Sequence, residues 1–167
     1  MERSKGERNS PPPRIRLQES PTLLRELYRI YSEKASAIAD YSYASILLEK
    51  DLPAAAELLS TVTKGELAQY IALGRLLRDL GATHALRVSL RATPYRLLED
   101  ADSHAPVVAA QIIKDRLRDE KNALLTYRGL AKKVATERAR NTLIALSEEE
   151  QDHIELLHAM LARLTQS

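Results

Sequence analysis

The chain has 167 residues, with 25 Lys and Arg against 23 Asp and Glu for a net charge of +2, and no Cys, which excludes a disulfide framework, a thiolate metal site and a Cys nucleophile. Five basic and three acidic residues fall in residues 1–19, leaving 20 of each sign in residues 20–167, so the body is neutral and nothing points to a nucleic-acid surface. No apolar run approaches the roughly 18 residues that span a bilayer, and the N-terminus lacks the apolar stretch of a secretory signal, so no membrane partner and a cytoplasmic location are expected.

Residues 1–19 are polar, contain Pro11-Pro12-Pro13 and have no helical period, which predicts a disordered N-terminal tail. Ser20-Pro21 is a helix start, an N-cap hydroxyl followed by Pro in the first turn. Helix 1 then runs to about Lys50, where Asp51-Leu52-Pro53 breaks it. Its apolar seam reads Leu24, Leu27, Tyr31, Lys34, Ile38, Tyr41, Ser45, Leu48. Helix 2 is expected from Pro53 to Leu80 with Gly81 as its stop. Its seam reads Leu59, Val62, Glu66, Gln69, Leu73, Leu76, Leu80. Gly65 and Gly74 lie inside this helix, where each costs up to about 1 kcal/mol against Ala, so close packing is the expected reason for them.

Residues 81–105 lose the rhythm, apart from a short helix expected over Pro94 to Asp100. A helix of about 28 residues is roughly 42 Å long, and about 12 extended residues cover that distance, so this stretch can travel the length of a bundle. Helix 3 is expected from Pro106 to about Val134, with the seam Ile113, Leu117, Glu120, Leu124, Tyr127, Ala131, Val134. Thr136 is an N-cap for helix 4, which runs to about Leu164 with the seam Leu143, Leu146, Glu150, His153, Leu157, Met160, Leu164. The opposite face of helices 3 and 4, with Lys114, Arg116, Arg118, Lys133, Arg138 and Glu148, reads as solvated surface. The fold expected for residues 20–167 is an all-α, up-down four-helix bundle with one long crossover between helices 2 and 3.

Six polar side chains occupy seam positions: Lys34, Glu66, Gln69, Glu120, Glu150 and His153. One such residue is ordinarily satisfied locally or snorkels, but six at mid-helix require a common compensation, because an unpaired buried charge is costly. The spacings repeat between the halves of the chain. Lys34-x6-Tyr41 matches Glu120-x6-Tyr127, and Glu66-x2-Gln69 matches Glu150-x2-His153. A two-fold related pair of hairpins brings all six to one level of the core. Buried Tyr41 and Tyr127 hydroxyls need partners, and either bonds to the carboxylates or volume filling accounts for them. His84, His104 and His158 fall off the seams and read as surface residues. No Gly-rich phosphate loop or Ser-His-Asp arrangement is evident.

Four segments in order carry a family resemblance: Ala37-Ile38-Ala39-Asp40-Tyr41-Ser42-Tyr43, Glu66-x-x-Gln69-x-x-x-Leu73-Gly74, Asp119-Glu120-Lys121 with Tyr127-Arg128, and Glu150-Gln151-Asp152-His153. Over residues 22–164 the chain resembles the ferritin-like carboxylate proteins, closest to the rubrerythrin-like branch. The resemblance implies that helices 1 and 3 each offer one Glu, and helices 2 and 4 each a Glu-x-x-His, to two iron or manganese ions. This chain departs from that pattern at Lys34, where a Glu is expected, and at Gln69, where a His is expected. In the family pattern both changes fall on the first ion, while Glu120 and His153 serve the second and Glu66 and Glu150 bridge. The resemblance also implies pairing into a homodimer.

Replacing Glu by Lys changes the cluster by the charge of one divalent ion. Three carboxylates and one ammonium leave a deficit that a single divalent cation neutralises, so one reading puts the Lys34 ammonium in place of the first metal, with Glu66, Glu120, Glu150 and His153 holding one Fe, Mn or Zn ion. A second reading needs no metal: Lys34 pairs with one Glu, protonated His153 with another, and the third Glu stays protonated, giving a helical scaffold or interaction protein with a salt-bridge core. A third, a di-metal oxidoreductase acting on peroxide or O₂, is disfavoured because the first half-site lacks its ligands and no Cys is present for an attached rubredoxin-type electron donor.

Overall fold

The computed structural model describes residues 19–82 and 105–166, and over them the chain forms four helices and no strand. They are α1 (Pro21–Leu48), α2 (Pro53–Asp79), α3 (Ala105–Ala131) and α4 (Glu137–Gln166). The boundaries follow from local chemistry. Ser20 is extended at φ −62° and ψ 142°, and its hydroxyl accepts from the Leu23 amide at 3.2 Å, which caps α1. Pro21 and Pro53 stand in the first turns of α1 and α2, where a missing N–H loses nothing. Gly81 ends α2 at φ +84°, a conformation that glycine adopts without a Cβ penalty. The Thr136 hydroxyl accepts from the Ala139 amide at 3.2 Å and caps α4.

Each helix buries one stripe. The stripe of α3 follows the expected seam from Ile113 to Ala131, where the helix ends short of the expected Val134 (itself buried), and that of α4 from Leu143 to Met160. The stripe of α1 is turned slightly from the expected one. Leu23, Ile30 and Ala44 are buried, whereas Leu24, Tyr31, Ile38 and Ser45 are only partly so. Arg116 is a clear departure from the expected surface, at 6% exposure.

The buried apolar residues separate into two clusters. One joins the end of α1 (Leu48) and start of α2 (Leu59) to the start of α3 (Ile112) and end of α4 (Leu157). The other joins the start of α1 (Leu27) and end of α2 (Leu73) to the end of α3 (Leu130) and start of α4 (Leu143). The six polar seam residues belong to neither cluster, and all are buried. Glu19, expected as the last tail residue, is 7% exposed, and its carboxylate accepts from the Ala135 amide at 2.9 Å, tying the entry of α1 to the α3–α4 turn. The expected tail over 1–18, the stretch 83–104 and the two histidines His84 and His104 lie outside the described residues. His158 is exposed, as expected.

Candidate metal centre

The helical periods that place Lys34, Glu66, Glu120, Glu150 and His153 on the apolar stripes also deliver them to one another. The Lys34 ammonium donates to Glu66 Oε1 at 2.7 Å and to Glu150 Oε1 at 2.5 Å. Residues 32 and 116 positions apart in the chain are thus joined through one nitrogen. His153 Nδ1 stands 3.4 Å from Glu66 Oε1, 3.6 Å from Glu120 Oε2 and 3.9 Å from Glu150 Oε2. The Tyr41 hydroxyl donates to Glu120 Oε1.

The two tyrosines reach across the molecule in opposite senses. Tyr41 of α1 bonds the seam residue of α3, Glu120, while the Tyr127 ring of α3 lies under the seam residue of α1, with Lys34 Nζ 5.8 Å from its centroid. Of the two alternatives expected for these hydroxyls, Tyr41 takes the carboxylate bond, whereas the Tyr127 hydroxyl is buried without a hydrogen-bond partner. Gln69 is fully buried, and neither atom of its amide finds a partner.

Electrostatics divide the cluster sharply. Burial alone would lower the Lys34 pKa, but Glu66 and Glu150 outweigh it and hold the ammonium charged. Burial likewise opposes a charge on His153, yet the Glu120 and Glu66 carboxylates raise its pKa to about 9. Burial and the adjacent Glu120 carboxyl push Glu150 upward. Burial works the same way on Glu120, but Glu150, His153 and Lys34 around it pull its pKa below the usual carboxylate range. Two neighbouring acids with opposed shifts retain one proton between them.

Glu66, Glu120, Glu150 and His153 each offer one ligand atom, and these atoms lie within 4.8 Å of one another. The same four residues each leave a buried atom without a hydrogen-bond partner: Oε2 of Glu66, Glu120 and Glu150, and Nδ1 of His153. Buried polar atoms ordinarily find partners. The separations of His153 Nδ1 from the carboxylates are too long for hydrogen bonds. They approach the edge of a tetrahedron built on bonds of roughly 2.0–2.2 Å, about 3.3–3.6 Å. The four donors, all within 4.8 Å of one another, form a group that could hold a divalent cation. Gln69 lacks imidazole chemistry, and Lys34 occupies the space beside Glu66 and Glu150 with a cation of its own.

One feature escaped the sequence reading, and one expectation gains its partner. Arg116, expected on the surface, is buried with its guanidinium 3.3 Å from Asp40 and 3.6 Å from Asp119, and 5.5 Å over the Tyr41 ring. Its position one turn before Glu120 was a signal, but the partner Asp40 lies on α1, and the α1–α3 register is not written in either helix. The close packing expected at Gly65 is against His153, because a Cβ there would lie 2.3 Å from His153 Nε2. Gly74 meets a milder limit, with Tyr31 Cε2 at 3.1 Å. Comparison with protein families, curated proteins and solved structures gives no match.

Proposed function

We propose that the chain is a ferritin-like, rubrerythrin-like bundle that binds one divalent cation at Glu66, Glu120, Glu150 and His153, with the Lys34 ammonium standing where a second ion would otherwise sit. One observation carries this reading: each of the four residues whose donors converge keeps a buried atom without a hydrogen-bond partner, and Gln69 and Tyr127 add an amide and a phenol to that set. The reciprocal reach of Tyr41 and Tyr127 supports a two-fold related pair of hairpins. The ends of α2 and the start of α3 belong to different core clusters, which supports a long crossover between them.

Such a site supplies a Lewis-acidic centre when loaded, and Zn, Fe(II) and Mn(II) all suit three carboxylates and an imidazole. The protein's own residues fix the charge. Lys34 is held by two carboxylates, so it neutralises one unit permanently and keeps Glu66 and Glu150 oriented. Tyr41 fixes the rotation of Glu120.

The ion pairs of Lys34 also favour a metal-free reading. Lys34 and His153 as cations then face Glu66 and Glu120 as carboxylates, with a proton retained on Glu150, and the layer is neutral without an ion. Elemental analysis of protein purified after metal-supplemented growth separates the two. One ion per chain supports the single-cation site, none supports the scaffold, and two would overturn the assignment of Lys34.

A further inference from the structure

We propose that the cleft between α1 and α3 is the route by which a hydrated divalent cation enters the buried cluster. This rests on reading the cluster as a cation site.

The cleft encloses about 570 Å³ and runs from a mouth at Arg29 and Glu33, both at least half exposed, to a floor formed by Lys34, Glu66 and Glu120. The floor carboxylates are 0% and 3% exposed, and each keeps an oxygen with no hydrogen-bond partner. The gap exists because the facing walls are built from small side chains, Ser32, Ser36 and Ala37 on α1 and Ala123 on α3. Larger residues at those positions would bring the two stripes into contact and seal the layer on this side.

The lining also selects. Its charged side chains are three cations and five carboxylates, a net charge of −2, matched to one divalent cation. Arg116 lies between Asp40 and Asp119 and presents its charge to them. The remaining polar lining is hydroxyl and amide (Asn122 and Thr126 among them), with Ile30 as the one large apolar residue. Such walls can exchange hydrogen bonds with an ion's water shell, which makes a hydrated ion a better fit than an apolar solute.

The test follows Zn(II) uptake by metal-free protein, and its release to a chromophoric chelator, after rapid mixing. Ser36→Leu with Ala123→Leu should slow uptake and release in equal proportion and leave both the dissociation constant and the one-ion stoichiometry unchanged, because a narrowed route alters a barrier and not the site. Glu33→Gln with Asp119→Asn changes exposed residues and leaves the walls intact, so it tests the same route should the double Leu variant fail to fold. It should slow uptake on the order of tenfold at low ionic strength, with the difference vanishing in high salt. Unchanged rates in a folded variant with one ion bound would overturn the cleft alone. A native chain that takes up no Zn(II) would overturn the cation site and the route together.

Discussion

Gly65 makes the space that the His153 imidazole occupies. A β carbon at position 65 would sit 2.3 Å from Nε2 and 2.8 Å from Cε1 of that ring, closer than any contact permits. The glycine inside α2 and the histidine inside α4 are therefore one feature, since the close approach of the two helices aims Nδ1 at Glu66, Glu120 and Glu150.

Gly65→Ala should push the imidazole out of the layer. The expected result is loss of bound metal together with overpacking destabilisation of about 1–3 kcal/mol, against a helix-propensity gain of up to about 1 kcal/mol. Gly74→Ala is the control, because the half-buried Tyr31 ring 3.1 Å away can shift. Metal content by elemental analysis and urea denaturation check both, and a Gly65→Ala protein with full metal content would sink the link between the two residues.

The periodicity of the stripes made much of this legible. Six polar residues on four seams were enough to expect one buried layer, and all six are buried. What the stripes do not encode is the register between helices. The Asp40–Arg116 pair and the Gly65–His153 contact both join different helices, so neither is visible in the period of one helix alone. Arg116 in particular has a neighbour's charge to thank for its burial, and that neighbour is 76 residues away. The seam of α1 was misread by one position at Leu24 and Ser45 because a stripe of 3.6-residue period drifts over 28 residues, and Leu23 and Ala44 take the buried places.

Lys34 holds two carboxylates that are otherwise side by side. Lys34→Met should leave the Glu66 carboxylate without its buried cation and destabilise the protein by about 3–5 kcal/mol at neutral pH. Lys34→Glu combined with Gln69→His should instead create a second set of ligands and raise the metal content to two ions per chain. Unchanged content in the folded double variant would show that α1 and α2 do not supply the missing half-site.

The two buried tyrosines separate a bonded hydroxyl from an unbonded one. Tyr41→Phe removes the donor to Glu120 and should cost about 1.5–3 kcal/mol, the range for a hydrogen bond to a charged group. Tyr127→Phe removes a buried hydroxyl without a hydrogen-bond partner and should be neutral or stabilising. Paired denaturation curves check the difference, and equal losses would show that the Tyr127 hydroxyl has a partner in solution.

Metal binding and protons compete for the same atoms. Without metal, His153 with a pKa near 9 and Glu150 with a raised pKa both hold protons at neutral pH. Both must leave when a cation is ligated, so affinity should rise by about two log units per pH unit below the His153 pKa and less steeply above it. A weakly buffered solution with an indicator dye should register about two protons released per ion, and a pH-independent affinity would contradict the ligand set. Stability follows with its own sign. The folded His153 pKa lies above its ordinary 6.5, so its contribution is fully present below that pH and lost as pH rises toward 9. Glu120, whose pKa is depressed, contributes above the ordinary carboxylate range and loses that contribution as pH falls into acid. Metal-free protein should therefore show a Tm that declines between pH 6.5 and about 9. Saturating metal should abolish that decline, because the ligated atoms no longer titrate there.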